Sequence, residues 1–333
     1  MKITVVGAGA FGTAMAVVAA RCGHEVLIWA HDPAVADEIN RERTNQRYLP
    51  EASFDTSIEA TSDLHRAASF SETLIMVVPS HHYRSVLGSI GEHLSKPVRI
   101  VSATKGIENE SLERMSQVSA GVLGEKLDRY AALSGPTFAV ESVRGDPTTA
   151  VIASSDPDFA TEIQRIMSDT FFRLYRSDDV VGVELAGSLK NIIAIAAGAV
   201  EGLGFGSNTN AALVTRGLHE IRRLGLALGG RPETFAGLAG MGDLVLTCTG
   251  SLSRNRRVGA DLGRGKLLLE ILDETKFVAE GLRTCKSAKE LSDRHGIEMP
   301  ITTEMFRVLY ENEPPRAAVL RLMSRSLKAE MGT

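Results

Sequence analysis

Residues 2–12 read KITVVGAGAFG, an apolar run that leads into the pattern G-x-G-x-x-G at Gly7, Gly9 and Gly12. The apolar run is typical of a strand, and the alanine-rich residues that follow favour a helix. In that setting the first glycine permits a tight turn, the second lets a pyrophosphate approach the backbone, and the third lets the helix pack on the strand. The helix N-terminus then offers free N–H groups to phosphates. The segment therefore predicts a dinucleotide site.

Strand-like and helical patterns alternate through the first half of the chain. After the glycine pattern comes a predicted helix over residues 13–22. Strands are predicted at residues 3–6, 25–29, 73–78, 99–102, 131–134 and 149–153. Such alternation is typical of βαβ units, so we expect an α/β domain of Rossmann type with a mainly parallel sheet.

From about residue 178 the strand patterns stop and long helical patterns begin. Helices are predicted over residues 179–202, 210–228, 287–295 and 302–310. We therefore expect two domains: a dinucleotide-binding Rossmann domain at residues 1–178, and an all-α substrate-binding and catalytic domain at residues 179–333. No low-complexity linker separates them, which indicates a firm interface.

Composition excludes several classes of protein. The 333 residues are 44% hydrophobic and 23% charged with a net charge of −4, which argues against disorder and against binding of nucleic acid. The three cysteines, Cys22, Cys248 and Cys285, are sparse and widely spaced, as in a reducing cytosol. The apolar stretch 192–200 is far shorter than the ~20 residues that span a bilayer. We therefore expect a cytoplasmic protein without stable membrane insertion.

The end of the second predicted strand bears on the choice of cofactor. A carboxylate there binds the ribose hydroxyls of NAD. Ala30 stands where we expect that acid, His31 follows and can contact a 2′-phosphate, and Asp32 can instead begin the next turn. The pattern favours NADP and does not exclude NAD.

Lys190 lies in the long predicted helix over residues 179–202. At 100° per residue its neighbours on the helix face are mostly small: Val183, Ala186, Gly187, Ala194 and Ala197. This face predicts a shallow groove, in which a lysine is costly unless its charge is used. Partial burial would lower its pKa toward a range useful for proton transfer. The alternative is a lysine that reaches solvent along the domain surface.

Two further segments offer groups that bind anions. Lys105 follows a predicted strand, at the edge of an open α/β sheet where ligands bind. Residues 253–257, SRNRR, combine a hydroxyl, an amide and three guanidinium groups, and guanidinium forks match phosphate oxygens. A charged run is also typical of a solvated surface. Histidines adjoin only at His81 and His82, so no metal is expected.

The chain resembles a known family in nine segments: GAGAFGTAMA, NQRYLP, VVPSH, ATKGIE, LSGPTFAVE, GVELAGSLKNIIAIAAG, GLAGMGDLVLTC, SRNRRVG and VAEGLRT. Together these look like the successive motifs of bacterial NAD(P)-dependent glycerol-3-phosphate dehydrogenase. They run in the family's order from residue 3 to about 310. Segments GSLKN and SRNRR carry most of the specificity.

The resemblance implies reversible hydride transfer between NAD(P)H and dihydroxyacetone phosphate, giving sn-glycerol 3-phosphate for phospholipid synthesis. It implies Lys190 as the proton donor or acceptor. The implied substrate site is Lys105, Gly135, Thr137, Lys190, Asp243, Ser253, Arg254 and Asn255. The implied cofactor site is Gly7, Gly9, Phe11, Gly12, His31, Lys105, Ala139, Arg254, Val278 and Glu280. A homodimer is left open.

Three positions depart from the commonest family pattern: Ala10 replaces a serine, Phe11 a tryptophan or tyrosine, and Thr137 a serine.

The sequence patterns also fit two other functions. One is an oxidoreductase of similar build that acts on a hydroxy or keto acid, whose site should recognise a carboxylate. The other is a redox sensor that binds NAD(P), which would have no need for Lys190 among small residues.

Overall fold

The computed structural model describes residues 1–274, 279–327 and 329–330, and its first half is built on one eight-stranded sheet. The strands are β1 (Lys2–Val6), β2 (Glu25–Trp29), β3 (Ile58–Thr61), β4 (Thr73–Met76), β5 (Val98–Ser102), β6 (Leu127–Ser134), β7 (Thr148–Ala153) and β8 (Phe172–Ser177). Their order is β3-β2-β1-β4-β5-β6-β7-β8, and all neighbours are parallel except β6 and β7. The predicted α/β class with a mainly parallel sheet is confirmed.

Helices cover both faces of this sheet. They are α1 (Ala10–Arg21), α2 (Pro33–Glu42), α3 (Leu64–Phe70), α4 (Ser80–His93), α5 (Met115–Leu123), α6 (Ala139–Arg144) and α7 (Pro157–Ile166). Buried residues of α1, α2 and α7 form one hydrophobic cluster with the sheet, and those of α3, α4 and α5 form another. Because helices pack on both faces, the central strands are mostly apolar and buried.

The sequence analysis missed β3 and β8, which are the two outer strands of the sheet. β3 has four residues and includes the exposed Glu59. β8 alternates buried Phe172 and Leu174 with exposed Arg173 and Tyr175. Neither segment is a continuous apolar run, which is the pattern that marks the inner strands.

The second half is helical. Its helices are α8 (Val180–Gly202), α9 (Ser207–Ala227), α10 (Pro232–Ala236), α11 (Asp243–Thr249), α12 (Arg254–Gly263), α13 (Leu268–Glu274), α14 (Glu280–Arg294), α15 (Pro300–Tyr310) and α16 (Pro315–Met323). The central helix is α8, which Asp179 caps by accepting a hydrogen bond from the Gly182 N–H (2.8 Å). Because β8 ends at Ser177 and α8 begins at Val180, we propose the domain boundary near residue 178.

Helix α8 is buried from Gly182 to Val200. Within the described part of the chain it alone is long and apolar enough to cross a membrane by length and composition, a longer span than the run 192–200 suggested. The protein surrounds it, however, and 89% of its most apolar window is buried. The apolar character of α8 is therefore that of a core helix.

Helices α8 and α12 pack backbone against backbone. A Cβ added to Gly259 of α12 would lie 1.8 Å from the Ile195 carbonyl oxygen of α8, and one added to Gly198 would lie 1.9 Å from the Arg256 carbonyl oxygen. Such distances leave no room for a side chain at either position. The glycines therefore fix the separation of the two helices that carry Lys190 and the SRNRR segment.

A buried carboxylate joins the two halves of the chain. Glu184 of α8 accepts hydrogen bonds from the Arg114 guanidinium (2.6 Å), the Ser116 N–H (2.8 Å) and the Tyr130 hydroxyl (2.7 Å). Its partners belong to β6 and to the start of α5, on the sheet side. A buried charge satisfied in this way is costly to separate from its partners, so these bonds connect α8 to the sheet side.

The packing of α8 on α12 yields a test of stability. We expect Gly259→Ala to lower the free energy of unfolding by about 1–3 kcal/mol, because the added methyl group must push two backbones apart. The measurement is chemical denaturation of the purified variant. The control is Gly121→Ala in α5, where an added Cβ meets nothing within 4 Å. That change should raise stability by about 0.4–1 kcal/mol. Equal stabilities for the two variants would contradict the packing.

Candidate active site

Lys190 lies at the centre of a buried group of charges. Its side chain is 7% exposed, and its ammonium group donates hydrogen bonds to an Asp243 carboxylate oxygen and to the Thr247 hydroxyl (2.8 Å). The second oxygen of Asp243 accepts a hydrogen bond from the Lys105 ammonium (2.7 Å). One carboxylate thus bridges two lysines, and the alternative of a lysine that reaches solvent is wrong.

Each half of the molecule contributes to this group. Lys105 follows β5, at the edge of the sheet where the sequence placed an anion site. Asp243 begins α11 directly after a π-helical turn over Leu238–Gly242, and Thr247 lies one helical turn later. The carboxylate therefore has a fixed position and both of its oxygens are engaged.

The small residues beside Lys190 let a neighbouring element approach this face of α8 closely. A Cβ added to Gly187, one turn before Lys190, would lie 2.5 Å from the Ser134 hydroxyl oxygen and 3.8 Å from the Lys105 side chain. Ser134 also donates a long hydrogen bond to Asp243 (3.4 Å). The space above Gly187 is therefore filled by the end of β6 and by the second lysine.

Burial and charge act in opposite directions on these groups. Burial lowers the pKa of Lys190 to about 7, against the attraction of the Asp243 carboxylate. Burial alone would raise the pKa of Asp243, but the ammonium groups of Lys105 and Lys190 hold that pKa below its usual range. Lys190 can thus give up or take a proton near neutral pH while Asp243 remains a carboxylate. These are the properties of a general acid and base.

The glycine-rich loop leaves the N-terminus of α1 open. A Cβ added to Gly12 would lie 1.9 Å from the Gly7 carbonyl oxygen, so the turn requires glycine there. Gly9 precedes α1, and a Cβ added to it meets nothing within 4 Å, which leaves the start of the helix open to a phosphate. The Lys105 ammonium lies 5.9 Å from the centre of the Phe11 ring. The loop therefore adjoins the lysine group, and its residues fit NAD(P).

The predicted substrate residues of the SGPT segment adjoin the same group. The Gly135 carbonyl oxygen accepts a hydrogen bond from the Thr137 hydroxyl (3.1 Å) and a long one from the Lys105 ammonium (3.5 Å). Gly135 has a φ of +148°, and an added Cβ would lie 2.9 Å from the Ala150 backbone. The turn therefore needs glycine, and it directs this carbonyl toward Lys105.

The predicted phosphate-binding residues lie at the N-terminus of α12. Ser253 caps the helix by accepting a hydrogen bond from the Arg256 N–H (3.3 Å). Asn255 donates to the Asn191 side chain (3.0 Å) and accepts from the Gly281 N–H (3.1 Å). Partial burial lowers the pKa of Arg254. Asn191 follows Lys190 on α8, so the Asn191–Asn255 bond connects this helix end to the lysine group.

The remaining predicted cofactor residues occupy several places. His31 lies at the carboxyl end of β2, with its ring edge to face with Trp29 (centroids 6.1 Å apart). Ala139 begins α6 and packs against the sheet. Glu280 begins α14 and accepts hydrogen bonds from the Ser80 N–H (3.0 Å) and hydroxyl (2.6 Å). Val278 lies outside the described residues.

The structure corrects the interpretation of Ala30. Its side chain is 1% exposed and belongs to the hydrophobic cluster beneath α1 and α2. A carboxylate at this position would be buried in the core, so the expectation that it would face a ribose is wrong. Asp32 immediately precedes α2, and its carboxylate caps this helix by accepting from the Ala34 N–H (3.0 Å).

Thr247, Asn191 and Ser134 contact the site and were not predicted. Their signals were weak, because each is a common polar residue inside an apolar segment. Thr247 could have been found, since it stands four residues after Asp243 and shares its helix face.

In the part of the chain that the structure describes, no group of three or more His, Cys, Asp or Glu side chains is placed to hold a metal ion.

Comparison with known proteins covers almost the whole chain. A family model described as NAD-dependent glycerol-3-phosphate dehydrogenase N-terminus matches residues 2–160, and its C-terminus counterpart matches residues 179–320. A glycerol-3-phosphate dehydrogenase (NAD(P)+) of Lysinibacillus sphaericus is 47% identical over 331 residues, which are 99% of this chain and 98% of that protein. Another of Geobacter metallireducens is 49% identical over 332 residues, 99% of each chain.

A solved structure is similar in fold as well as in sequence. The crystal structure of a glycerol-3-phosphate dehydrogenase from Coxiella burnetii has a TM-score of 0.93 and 40% sequence identity to this chain. The similarity covers 97% of this chain and 99% of the other.

Proposed function

The chain belongs to the NAD-dependent glycerol-3-phosphate dehydrogenase family, and we propose that it interconverts dihydroxyacetone phosphate and sn-glycerol 3-phosphate with NAD(P)(H). The observation that carries this proposal is the buried Lys190, bonded to Asp243 and Thr247 beside the glycine-rich loop. When bound, the dinucleotide supplies the hydride that converts the ketone to the alcohol. The protein must then manage one proton and the charge on one oxygen.

Lys190 performs that task in this proposal. During reduction negative charge develops on the carbonyl oxygen, and the Lys190 ammonium stabilises the charge and donates the proton. In the opposite direction the neutral amine accepts the proton of the substrate hydroxyl. A pKa of about 7 makes both forms available near neutral pH.

Asp243, Thr247 and Lys105 position the amine. The Lys190 ammonium has three N–H donors. Two of them point at Asp243 and Thr247, so the tetrahedral geometry of the nitrogen fixes the direction of the third. Lys105 engages the other oxygen of Asp243 and prevents the carboxylate from rotating. The group is thus preorganised before substrate arrives, which is where enzymes gain most of their electrostatic stabilisation.

Recognition of the phosphate is assigned to the N-terminus of α12. Arg254 and Asn255 are the first residues of this helix, where backbone N–H groups and the helix dipole favour an anion. The bonds of Asn255 to Asn191 and Gly281 hold that end beside α8. Binding energy from the phosphate, remote from the reacting carbon, orients the ketone.

The alternative functions have less support. A keto-acid oxidoreductase would use a cation to hold a carboxylate next to the reacting carbon, whereas Lys105 is bonded to Asp243. A redox sensor would not require the costly burial of Lys190.

We also propose that the enzyme is cytoplasmic and supplies phospholipid synthesis. Its three cysteines are free in the structure and Cys248 and Cys285 are buried, which suits a reducing compartment.

Steady-state turnover with a panel of small ketones tests the proposed function. The panel holds phosphorylated and carboxylated ketones, each with NADH and with NADPH, and oxidation of the reduced cofactor is followed by its absorbance. We expect dihydroxyacetone phosphate to be preferred. Preference for a carboxylated ketone would overturn the assignment in favour of a keto-acid enzyme, and binding of cofactor without any turnover would favour the sensor.

Lys190→Ala tests the assignment of the acid. We expect turnover to fall by about 100-fold or more, because the proton donor and the stabilising charge are both lost. Dinucleotide affinity, measured by the fluorescence of bound reduced nicotinamide, should change little. A variant that keeps more than about a tenth of the wild-type turnover would show that another group is the acid.

The pKa of Lys190 predicts opposite pH profiles for the two directions. Reduction requires the ammonium form, so kcat/KM for dihydroxyacetone phosphate should fall as the pH rises through about 7. Oxidation of sn-glycerol 3-phosphate requires the neutral amine and should rise over the same range. Because the substrate phosphate also titrates near pH 6, the control is the residual profile of Lys190→Ala. Identical wild-type and variant profiles would argue against titration of Lys190.

Arg254→Lys tests the phosphate site. A lysine reproduces the fork of a guanidinium poorly, so KM for dihydroxyacetone phosphate should rise and turnover should fall as the ketone loses its alignment. The unphosphorylated ketone serves as the control, since its weak reaction should hardly change. Cofactor affinity is measured separately, because Arg254 also belongs to the implied cofactor site. Equal losses with both ketones, at unchanged cofactor affinity, would transfer the role to Lys105.

A further inference from the structure

We propose that Arg47, in the NQRYLP segment after α2, is the residue by which this chain distinguishes a dinucleotide that carries a 2′-phosphate from one that does not. Asp32 holds Arg47 in place until that phosphate binds. The inference rests on the dehydrogenase function proposed above and assigns a specificity-determining contact to a segment that the catalytic site does not use.

The NQRYLP segment is tied to the glycine-rich loop. Asn45 is fully buried, and its side-chain amide donates hydrogen bonds to the Ala8 carbonyl oxygen (2.9 Å) and to the Thr13 hydroxyl (2.8 Å). Leu49, four residues later, is also buried in the cluster beneath α1 and α2. The segment is therefore anchored on both sides of Arg47, against the glycine-rich loop and the start of α1.

The anchored segment brings Arg47 to the carboxyl end of β2. Its guanidinium donates to a carboxylate oxygen of Asp32 (2.7 Å) and lies 5.3 Å from the centre of the Tyr48 ring. Asp32 is three residues past the end of β2, and β2 lies beside β1, which leads into the glycine-rich loop. In this fold the end of the second strand contacts the adenosine ribose, through an acid for NAD or an arginine for NADP.

Asp32 is poorly suited to the role of the NAD-selecting acid. One of its oxygens caps α2 through the Ala34 N–H (3.0 Å), and the other accepts the hydrogen bond from Arg47. A carboxylate engaged in this way has lost the oxygen that a ribose 2′-hydroxyl would use. The neighbouring Ala30 is buried and offers no acid either.

The Arg47–Asp32 pair is weak enough to be exchanged. The two side chains are 53% and 40% exposed, and a surface ion pair of this kind contributes little to stability. A phosphate dianion carries more charge than a carboxylate and matches the guanidinium fork with two parallel hydrogen bonds. A 2′-phosphate therefore displaces Asp32 from Arg47, and His31, exposed on the same strand end, adds a second polar contact.

The test uses two nucleotides that differ only in this phosphate: adenosine 2′,5′-bisphosphate and adenosine 5′-monophosphate. Their dissociation constants are measured by calorimetry, without substrate or turnover. We expect the wild type to bind the bisphosphate about 10-fold or more tightly, the factor that one charged hydrogen bond usually carries. Arg47→Ala should reduce the ratio of the two constants to about 1–3, and Arg47→Lys should give an intermediate ratio.

Two further variants separate the contact from general effects. Arg41→Ala removes an exposed arginine from the last turn of α2 and should leave the ratio unchanged. Asp32→Asn keeps a residue that caps helices well but removes the competing charge, so the ratio should increase several-fold. Thermal melting of each variant checks that it is folded.

Several outcomes would overturn the inference: a wild type that does not discriminate, an Arg47→Ala variant that keeps the ratio, or one that weakens both nucleotides equally. The last result would mean that Arg47 only supports the local fold. Failure of the proposed function is distinguishable, because it would appear as absence of ketone reduction by a chain whose nucleotide ratio still depends on Arg47.

Discussion

The carboxylate of Asp243 is the charge on which the rest of the site depends. It lies in the interior with 1% exposure of its side chain, and its two oxygens engage one lysine from each half of the chain. Without it, Lys105 and Lys190 would confront each other as like charges in a poorly solvated space, which costs several kcal/mol. With it, the two ion pairs join the helical half to the sheet at one defined place. The same ion pairs therefore hold the interface and arrange the amine of Lys190.

Charge alone does not set the distances within the site, and the packing of α8 on α12 completes the arrangement. Gly198 and Gly259 let the two backbones touch, so the end of α12 that carries Arg254 and Asn255 has one position relative to Lys190. A wider separation would break the bond between Asn255 and Asn191. The glycines of this contact therefore set the position of Arg254 and Asn255 relative to Lys190.

Much of this architecture could be predicted from sequence, and the failures have physical causes. The inner strands were recognisable because burial on both faces makes them mostly apolar, whereas β3 and β8 lie at the edges of the sheet and have a mixed pattern. Lys190 was recognisable because burying a lysine within an apolar helix costs free energy. The partners of Lys190 did not, since Thr247 and Ser134 become close only when separate segments fold together.

The interpretation of Ala30 failed for a related reason. A position counted along a strand does not reveal which face its side chain takes, and one residue changes the face. Ala30 faces the core, and the polar contact at the strand end joins Asp32 to Arg47 of the NQRYLP segment, which the topology returns to this edge. Contacts between segments of that kind are invisible to periodicity.

In the proposed function, the charge of the lysine group also relates substrate binding to the protonation of Lys190. Lys105 and Lys190 flank one carboxylate, and burial lowers the pKa of Lys190 to about 7. A substrate that brings a phosphate dianion to the N-terminus of α12 adds negative charge to the same interior and favours the ammonium form. An unphosphorylated ketone lacks that effect. In the proposed function, the remote phosphate would therefore orient the ketone and also favour the protonated form of Lys190, which would couple recognition of the substrate to the chemical step.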